Sequence, residues 1–97
     1  MQTLPRLSSV EAEIVRLLVA HGDMYGLELV AESHKIKRGT VYVMLGRMAD
    51  KGLVKSRAVK AEHEGGLPRR VFSLTAHGQR VFDAWQAANA AWREALA

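Results

Sequence analysis

The pattern of apolar residues predicts a mainly α-helical fold with one β-hairpin, in the order helix, short helix, helix, hairpin, long helix. Apolar residues recur at helical spacing over residues 10–18 and 41–48. Residues 53–59 and 69–75 are rich in β-branched and aromatic side chains that partly alternate with polar ones, and turn-forming residues lie between them. Residues 76–97 carry two tryptophans seven positions apart, a spacing that puts both on one helix face.

The first helix is predicted from its start signal. In "SSVE", Ser8 can cap the helix while Glu11 reaches back to the backbone of the cap, which is the pattern of a capping box. Gly22 follows the last apolar position and predicts the end of the helix. The stripe that should face the core consists of Val10, Ile14, Leu17 and Leu18.

The next two helices are predicted to be shorter. A turn at "HGDMYG" leads into "YGLELVAESH", and we expect its inward-facing residues to be Leu27, Val30 and Ala31. After "KIKRG", a third helix is predicted from about Thr40 to Lys51, with Gly52 placed to end it. Its inward-facing residues should be Val41, Leu45 and Met48, with Thr40, Val43 and Arg47 on the opposite face.

The chain should end in a hairpin with a long loop at "EHEGGLP", followed by a helix that Thr75 can cap. A helix of about 20 residues spans about 30 Å, so its distal half should project beyond the small body of the protein. Exposed tryptophans on a projecting helix indicate an oligomer interface. The predicted interface residues are Val81, Trp85, Ala88, Trp92 and Leu96.

The composition excludes several classes of function. The 97 residues fit one domain. The absence of cysteine excludes disulfides, thiolate metal sites and cysteine nucleophiles. Neither a signal-peptide hydrophobic run nor an apolar stretch of about 18 residues is present, so a soluble cytoplasmic protein is expected.

The charge is unevenly distributed along the chain. Residues 35–70 hold ten Lys or Arg against three acids, a net charge of +7, whereas the rest of the chain carries −3 of the total +4. Interspersed charges would have sufficed for solubility, so this segregation indicates an anionic partner for the middle of the chain. A solvated basic face is the alternative that charge alone leaves open.

The order of elements predicts a winged helix-turn-helix. The third helix takes the place of a recognition helix, and the basic hairpin follows it as a wing would. Basic residues at 35, 37 and 38 precede that helix, although the partial positive charge of a helix N-terminus favours acidic residues there. A DNA phosphate would explain these basic residues, because it can bind both their side-chain charges and the free backbone N–H groups at the start of the helix.

Three stretches of the chain resemble the PadR family of bacterial winged helix-turn-helix regulators. They are "LSSVEAEIVRLLVAHGDMYGLEL", "RGTVYVMLGRMADKGLVKSR" and "LPRRVFSLTAHG", in the same order and at compatible spacing. The resemblance implies a homodimeric repressor, with the third helix in the major groove, the wing near the minor groove or backbone, and a C-terminal helix that builds the dimer. Family members often have an arginine where Leu67 stands here, and because the sequence ends soon after Trp92, no separate effector domain is expected.

The resemblance and the residue types together give a predicted interface with double-stranded DNA. Thr40, Val43 and Arg47 are the candidates for reading bases, since arginine can bind guanine and a small apolar group can touch the thymine methyl. The resemblance implies that Tyr42 lies at the DNA surface. Of the two wing arginines we expect Arg69 to face the groove, because neighbouring strand residues point to opposite sides. The full predicted set is Lys37, Arg38, Thr40, Tyr42, Val43, Arg47, Lys51, Arg69 and Arg70.

Residues 1–75 are thus predicted to form the DNA-binding part and residues 76–97 the dimerisation helix of one compact unit. The four histidines lack metal-ligand spacing and no catalytic motif is evident, so neither a metal, a cofactor nor an enzyme activity is predicted. Two alternatives stay open. One is a winged-helix module that binds an acidic protein, and the other is a multidrug-sensing repressor that binds flat aromatic ligands at a dimer interface lined by Trp85 and Trp92.

Overall fold

A computed structural model describes residues 6–59 and 69–96. Its elements are α1 (Ser9–His21), β1 (Met24–Tyr25), α2 (Gly26–Glu32), α3 (Val41–Asp50), β2 (Val54–Val59), β3 (Arg69–Leu74) and α4 (Ala76–Leu96). The strands form one antiparallel sheet in the order β1-β3-β2. The mainly α fold with a hairpin and a long last helix is therefore confirmed. Among the described residues, no helix is both long and apolar enough to span a bilayer.

Helix α1 begins and ends where its sequence signals predict. The Ser8 hydroxyl accepts from the Glu11 N–H at 3.1 Å, and the Glu11 carboxylate accepts from the Ser8 N–H at 2.9 Å. Gly22 ends the helix with φ +79°, a left-handed conformation that glycine adopts without a steric penalty. The apolar stripe faces the core, where Ile14 and Val15 are fully buried.

The inward face of α2 differs from the prediction. Leu27 is 48% exposed and Ala31 is exposed, whereas Leu29 is fully buried and Val30 is half-buried. The helix has only seven residues and begins at Gly26, so its rotation is determined by packing against α3 and the sheet rather than by an apolar stripe of its own. Ile36, in the connection to α3, adds another core side chain that the periodicity did not predict.

Helix α3 packs with the predicted face. Val41, Leu45 and Met48 are buried, and Gly52 follows the helix with φ +76°. These side chains, with Ile14 and Leu29, form the centre of a single core.

The hairpin of β2 and β3, called the wing below, pairs from Val54↔Leu74 to Val59↔Arg69. Its loop, including Leu67, lies outside the described residues. Strand β1 adds a third strand, which pairs with β3 through Met24↔Phe72 and Tyr25↔Val71. The sequence predicts a turn and the start of a helix here instead of a strand, because two residues are too few to show an alternating pattern.

Helix α4 starts against the core and then leaves it. The Thr75 hydroxyl accepts from the Gly78 N–H at 2.9 Å, as predicted for a cap, and it can donate to the Gly52 carbonyl oxygen at 2.5 Å or to the Leu53 carbonyl oxygen at 3.0 Å. A Cβ on Gly78 would lie 2.1 Å from the Leu53 oxygen, so only glycine allows this close approach. Phe82 is buried and stacks on Trp85, with ring centroids 6.0 Å apart.

Candidate nucleic-acid interface

The outer face of α3 is exposed and partly apolar. Because Val41, Leu45 and Met48 occupy the core side of the helix, the opposite side is left to solvent. Tyr42 is 54% exposed and Val43 is 56% exposed. The other exposed residues of this face are Thr40, Gly46, Arg47 and the acidic Asp50. The three predicted base-reading residues therefore share one accessible surface.

The start of α3 has no internal partner of the kind found at α1. Thr40 makes no side-chain cap, and the first turn holds no acidic residue. The Lys37 carbonyl accepts from the backbone N–H groups of Thr40 at 3.1 Å and of Val41 at 2.9 Å, which closes the turn before the helix. Lys37 and Arg38 are exposed, and neither forms a salt bridge within residues 6–59 and 69–96. This end of the helix can accept an anion.

Two tyrosines connect the outer face of α3 to the wing. The Tyr42 ring lies against Gly26, where an added Cβ would come within 2.7 Å of the ring. The neighbouring Tyr25 carries the Arg69 guanidinium, whose Cζ is 5.6 Å from the ring centroid, within the range of a cation–π interaction. Tyr42, Gly26, Tyr25 and Arg69 thus form a continuous path from the helix to the last strand of the wing.

The two wing arginines point to opposite sides of the sheet, as neighbouring strand residues must. Arg69 lies over Tyr25, whereas the Arg70 Nη1 donates to the Ser56 hydroxyl at 3.0 Å. Both are exposed. That Arg69 is the arginine that faces the groove stays a prediction. The contacts of Arg69 with Tyr25, and of Gly26 with Tyr42, put Arg69 on the same side of the protein as the outer face of α3.

Lys51 lies at the other end of α3 and has an internal partner. Its ammonium is 2.9 Å from the Glu11 carboxylate. Both side chains line a surface groove of about 540 Å³ that is also lined by Trp85 and Asn89. Burial raises the pKa of Glu11, but hydrogen bonds from the Ser8 N–H and from Lys51 outweigh it and hold the pKa below its ordinary value of 4.5. Lys51 remains one of the predicted DNA-binding residues, although its charge is already paired with that of Glu11. Arg57 likewise pairs with Asp23 at 3.1 Å.

The predicted dimer residues fall into two groups. Val81 and Trp85 are half-buried against the core, whereas Ala88 is exposed, Trp92 is 65% exposed and Leu96 is 69% exposed. The first group belongs to the fold of a single chain. The second group is an apolar surface on the distal half of α4.

The residue types that could hold a metal do not converge. Within residues 6–59 and 69–96, no three His, Asp or Glu side chains lie close enough to bind one ion. His63 lies outside the described residues.

Tyr25, Gly26 and Glu11 were not predicted to matter for the interface. The sequence signal for Tyr25 and Gly26 is the "YG" dipeptide, in which a large ring precedes the smallest residue. This dipeptide alone does not reveal that the Tyr42 ring lies against Gly26. Glu11 was recognised only as a cap, because nothing local links it to Lys51 forty residues later.

Comparisons with known proteins agree with the family resemblance and with the fold. The model of the transcriptional regulator PadR-like family matches residues 14–84. A PadR family transcription regulator from Clostridium difficile R20291 is 26% identical, with a TM-score of 0.71 over 93% of this chain and 100% of that one. A PadR-like transcription factor from Bacteroides fragilis is 20% identical, with a TM-score of 0.75 over 88% of this chain and 84% of that one.

The Bacillus subtilis PadR protein, in complex with operator DNA, has the same fold as this chain. It is 20% identical, with a TM-score of 0.69 over 77% of this chain and 45% of that one. No curated protein sequence matches this chain closely enough to count as a relative.

Proposed function

The chain belongs to the PadR-like family of transcriptional regulators, and we propose that it binds double-stranded DNA through the outer face of α3 and the wing. The observation that carries the proposal is the start of α3. This helix N-terminus has neither a cap nor an acidic residue, and the adjacent Lys37 and Arg38 form no salt bridge in the part of the chain that the structure describes, so it is suited to a phosphate. The complex of the Bacillus subtilis PadR protein with operator DNA supports the choice of DNA as the anion.

The interface residues divide into two roles. Thr40, Val43 and Arg47 read base edges in the major groove, since they share the exposed face and have the chemistry for it. The remaining residues position the protein on the phosphate backbone, which gives affinity but carries no sequence information directly. They are Lys37, Arg38, Tyr42, Arg69 and Arg70, with a smaller contribution from Lys51.

Dimerisation would complete this function. One winged helix of this size presents a single recognition helix, whereas a two-fold dimer presents two, roughly 34 Å apart on DNA, and so binds a palindromic or nearly palindromic operator. We assign residues 1–75 to DNA binding and residues 76–97 to dimerisation. Ala88, Trp92 and Leu96 are the exposed apolar surface that a second copy would cover, with Val81 and Trp85 at its edge. A repressor is the role that we propose from the resemblance to the PadR family, in which a dimer on an operator would block access to the promoter.

The test of DNA binding starts with duplexes selected by the wild-type protein from a random pool. Arg47→Ala should reduce the difference in affinity between a selected and a random duplex, whereas Arg69→Ala should weaken both about equally. Equal weakening of both duplexes by both variants would contradict the assigned reading face. A wild-type protein that selects nothing even at low salt would contradict DNA binding and favour the module that contacts an acidic protein.

The test of dimerisation is sedimentation at about 50 μM, a concentration that would reveal even a weak dimer. The wild-type protein should sediment as a dimer. Trp92→Ala should sediment as a monomer, and its thermal midpoint should equal that of the wild type when both are measured at a dilution at which the wild type is also monomeric, because the Trp92 side chain is largely exposed in the single chain. Trp85→Ala is the matched comparison, and it should lower the thermal midpoint because Trp85 stacks on Phe82. A monomeric wild-type protein would contradict the dimer.

A further inference from the structure

Gly46 lies in the middle of α3, and nothing in the described part of the chain requires a glycine there. It is exposed, and a Cβ placed on it would meet no heavy atom of residues 6–59 and 69–96 within 4 Å. Its φ is not positive, unlike those of Gly22 and Gly52. It does not resemble Gly26 or Gly78 either, where a Cβ would meet a ring or a backbone oxygen.

A glycine at such a position weakens the free protein. In a helix interior glycine is less favourable than alanine, since it loses more backbone freedom on folding. Alanine would fit the empty space around Gly46 and favour the helix. The described part of the chain therefore gives no reason for glycine at this position.

The surroundings of Gly46 indicate a reason. On a helix, residues three and four apart are neighbours, so Gly46 lies beside Val43 and Tyr42, both more than half exposed. Arg47 follows it directly, also exposed. Gly46 is thus near the centre of the surface proposed to enter the major groove.

We propose that Gly46 is a clearance position, meaning a residue at which bound DNA approaches the helix backbone too closely to leave room for a Cβ. The major groove is about 12 Å wide, and a helix with its side chains is about 10–12 Å across, so the fit is tight. A missing side chain on the exposed face would let the helix lie deeper, which brings Val43 and Arg47 within reach of the base edges. The inference rests on the proposed DNA binding and adds to it the depth at which α3 is inserted.

The experiment measures thermal stability and DNA affinity together for Gly46→Ala, using a duplex selected by the wild-type protein and a random duplex of equal length. Clearance predicts a thermal midpoint higher by about 2–6 °C. It also predicts affinity for the selected duplex lower by about tenfold or more, and affinity for the random duplex changed by about twofold or less, because non-specific binding does not require deep insertion. Gly46→Leu should weaken specific binding further.

Ala49→Gly on the same helix is the matched control. It should lower the thermal midpoint by a similar amount and leave both affinities unchanged, which separates helix stability from DNA fit. Specific binding by Gly46→Ala that equals or exceeds that of the wild type would overturn the inference while leaving DNA binding intact. An equal loss on both duplexes would overturn it too, since the cause would not be depth in the groove. A wild-type protein that selects no duplex would overturn the proposed function and this inference together.

Discussion

Helices α1 and α3 are both amphipathic and both pack on the same core, but their N-termini are built in opposite ways. At α1, Ser8 caps the first turn and the Glu11 carboxylate lies in it, near the positive end of the helix dipole. At α3, Thr40 makes no cap, the first turn holds no acid, and Lys37 and Arg38 add positive charge just before the helix.

This difference separates the needs of folding from those of binding. The donors at the start of α1 are satisfied within the chain, so this helix end contributes to stability and is closed to outside ligands. The start of α3 lacks the stabilisation that a side-chain cap and an acidic residue would give. In a domain of this size, where each cap contributes about 1 kcal/mol, such an omission is consistent with a partner that arrives later and carries negative charge.

The largest expected effect comes from reversing charge at the start of α3. Arg38→Glu should weaken DNA binding by about 2 kcal/mol, or roughly 30-fold, because it removes a phosphate contact and adds repulsion. The measurement is a titration of a selected duplex at fixed salt. Arg80→Glu, an exposed position on α4 with the same change in net charge, is the control and should lose far less. Equal losses would mean that only the net charge matters.

Removing the acidic residue at the start of α1 should affect folding and not DNA binding. Glu11→Ala removes both the cap on the Ser8 N–H and the partner of Lys51, so the free energy of unfolding should fall by about 2 kcal/mol. Urea unfolding measures this. The DNA affinity of the folded variant should stay within about twofold of wild type. A loss of affinity as large as that of Arg38→Glu would show that α1 and α3 do not differ in role.

The stabilisation from Glu11 should depend on pH in a defined direction. The pKa of Glu11 is lowered in the folded protein, so its charged form stabilises the fold above its ordinary value of 4.5 and this contribution is lost as the pH falls through the lower, folded value. Glu11→Gln keeps an acceptor for the Ser8 N–H but loses the charge. The difference in unfolding free energy between wild type and this variant, about 1 kcal/mol near neutral pH, should therefore shrink below pH 4.5. A difference that grows on acidification would contradict the assigned pairing.

Thr40→Asp converts the start of α3 into one like that of α1. The new cap and charge should raise the free energy of unfolding by about 0.5–1 kcal/mol. DNA binding should fall by about tenfold, since the carboxylate occupies the proposed phosphate position. Thr40→Asn supplies a neutral cap of the same shape and should give much of the stability with a smaller loss of binding. If both variants bind DNA as the wild type does, the open N-terminus has no role in binding.

The smallest effect is expected at the link between α3 and the wing. Gly26→Ala places a methyl group against the Tyr42 ring and should push the ring outward. We expect DNA affinity to fall by about threefold, or about 0.6 kcal/mol, as the ring leaves the path to Tyr25. Adding Tyr42→Ala removes the clash, so Gly26→Ala should then have no further effect on affinity. An unchanged threefold loss in that background would show that Gly26 acts elsewhere.

The features that sequence reasoning predicted correctly are those determined by neighbouring residues. The capping box at Ser8 and Glu11, and the buried stripe of α3, need only three or four residues to be recognised. The inward face of α2 and the short β1 were missed, since both depend on packing against distant elements. For the candidate site, the sequence predicts which residue types the exposed face carries. The position of Arg69 over Tyr25 could not be predicted because it depends on strand pairing, and the pairing of Lys51 with Glu11 could not because it depends on tertiary contacts.

The dependence of DNA affinity on salt concentration tests most directly whether the basic start of α3 and the wing meet phosphates. The logarithm of the binding constant should fall linearly with the logarithm of salt concentration, with a slope of about −0.9 for each phosphate neutralised. For wild-type protein on a selected duplex we predict a slope of about −4 or steeper, reduced by about 1 per bound protomer in Arg38→Glu. A slope near zero, or a slope that Arg38→Glu leaves unchanged, would contradict the proposed interface.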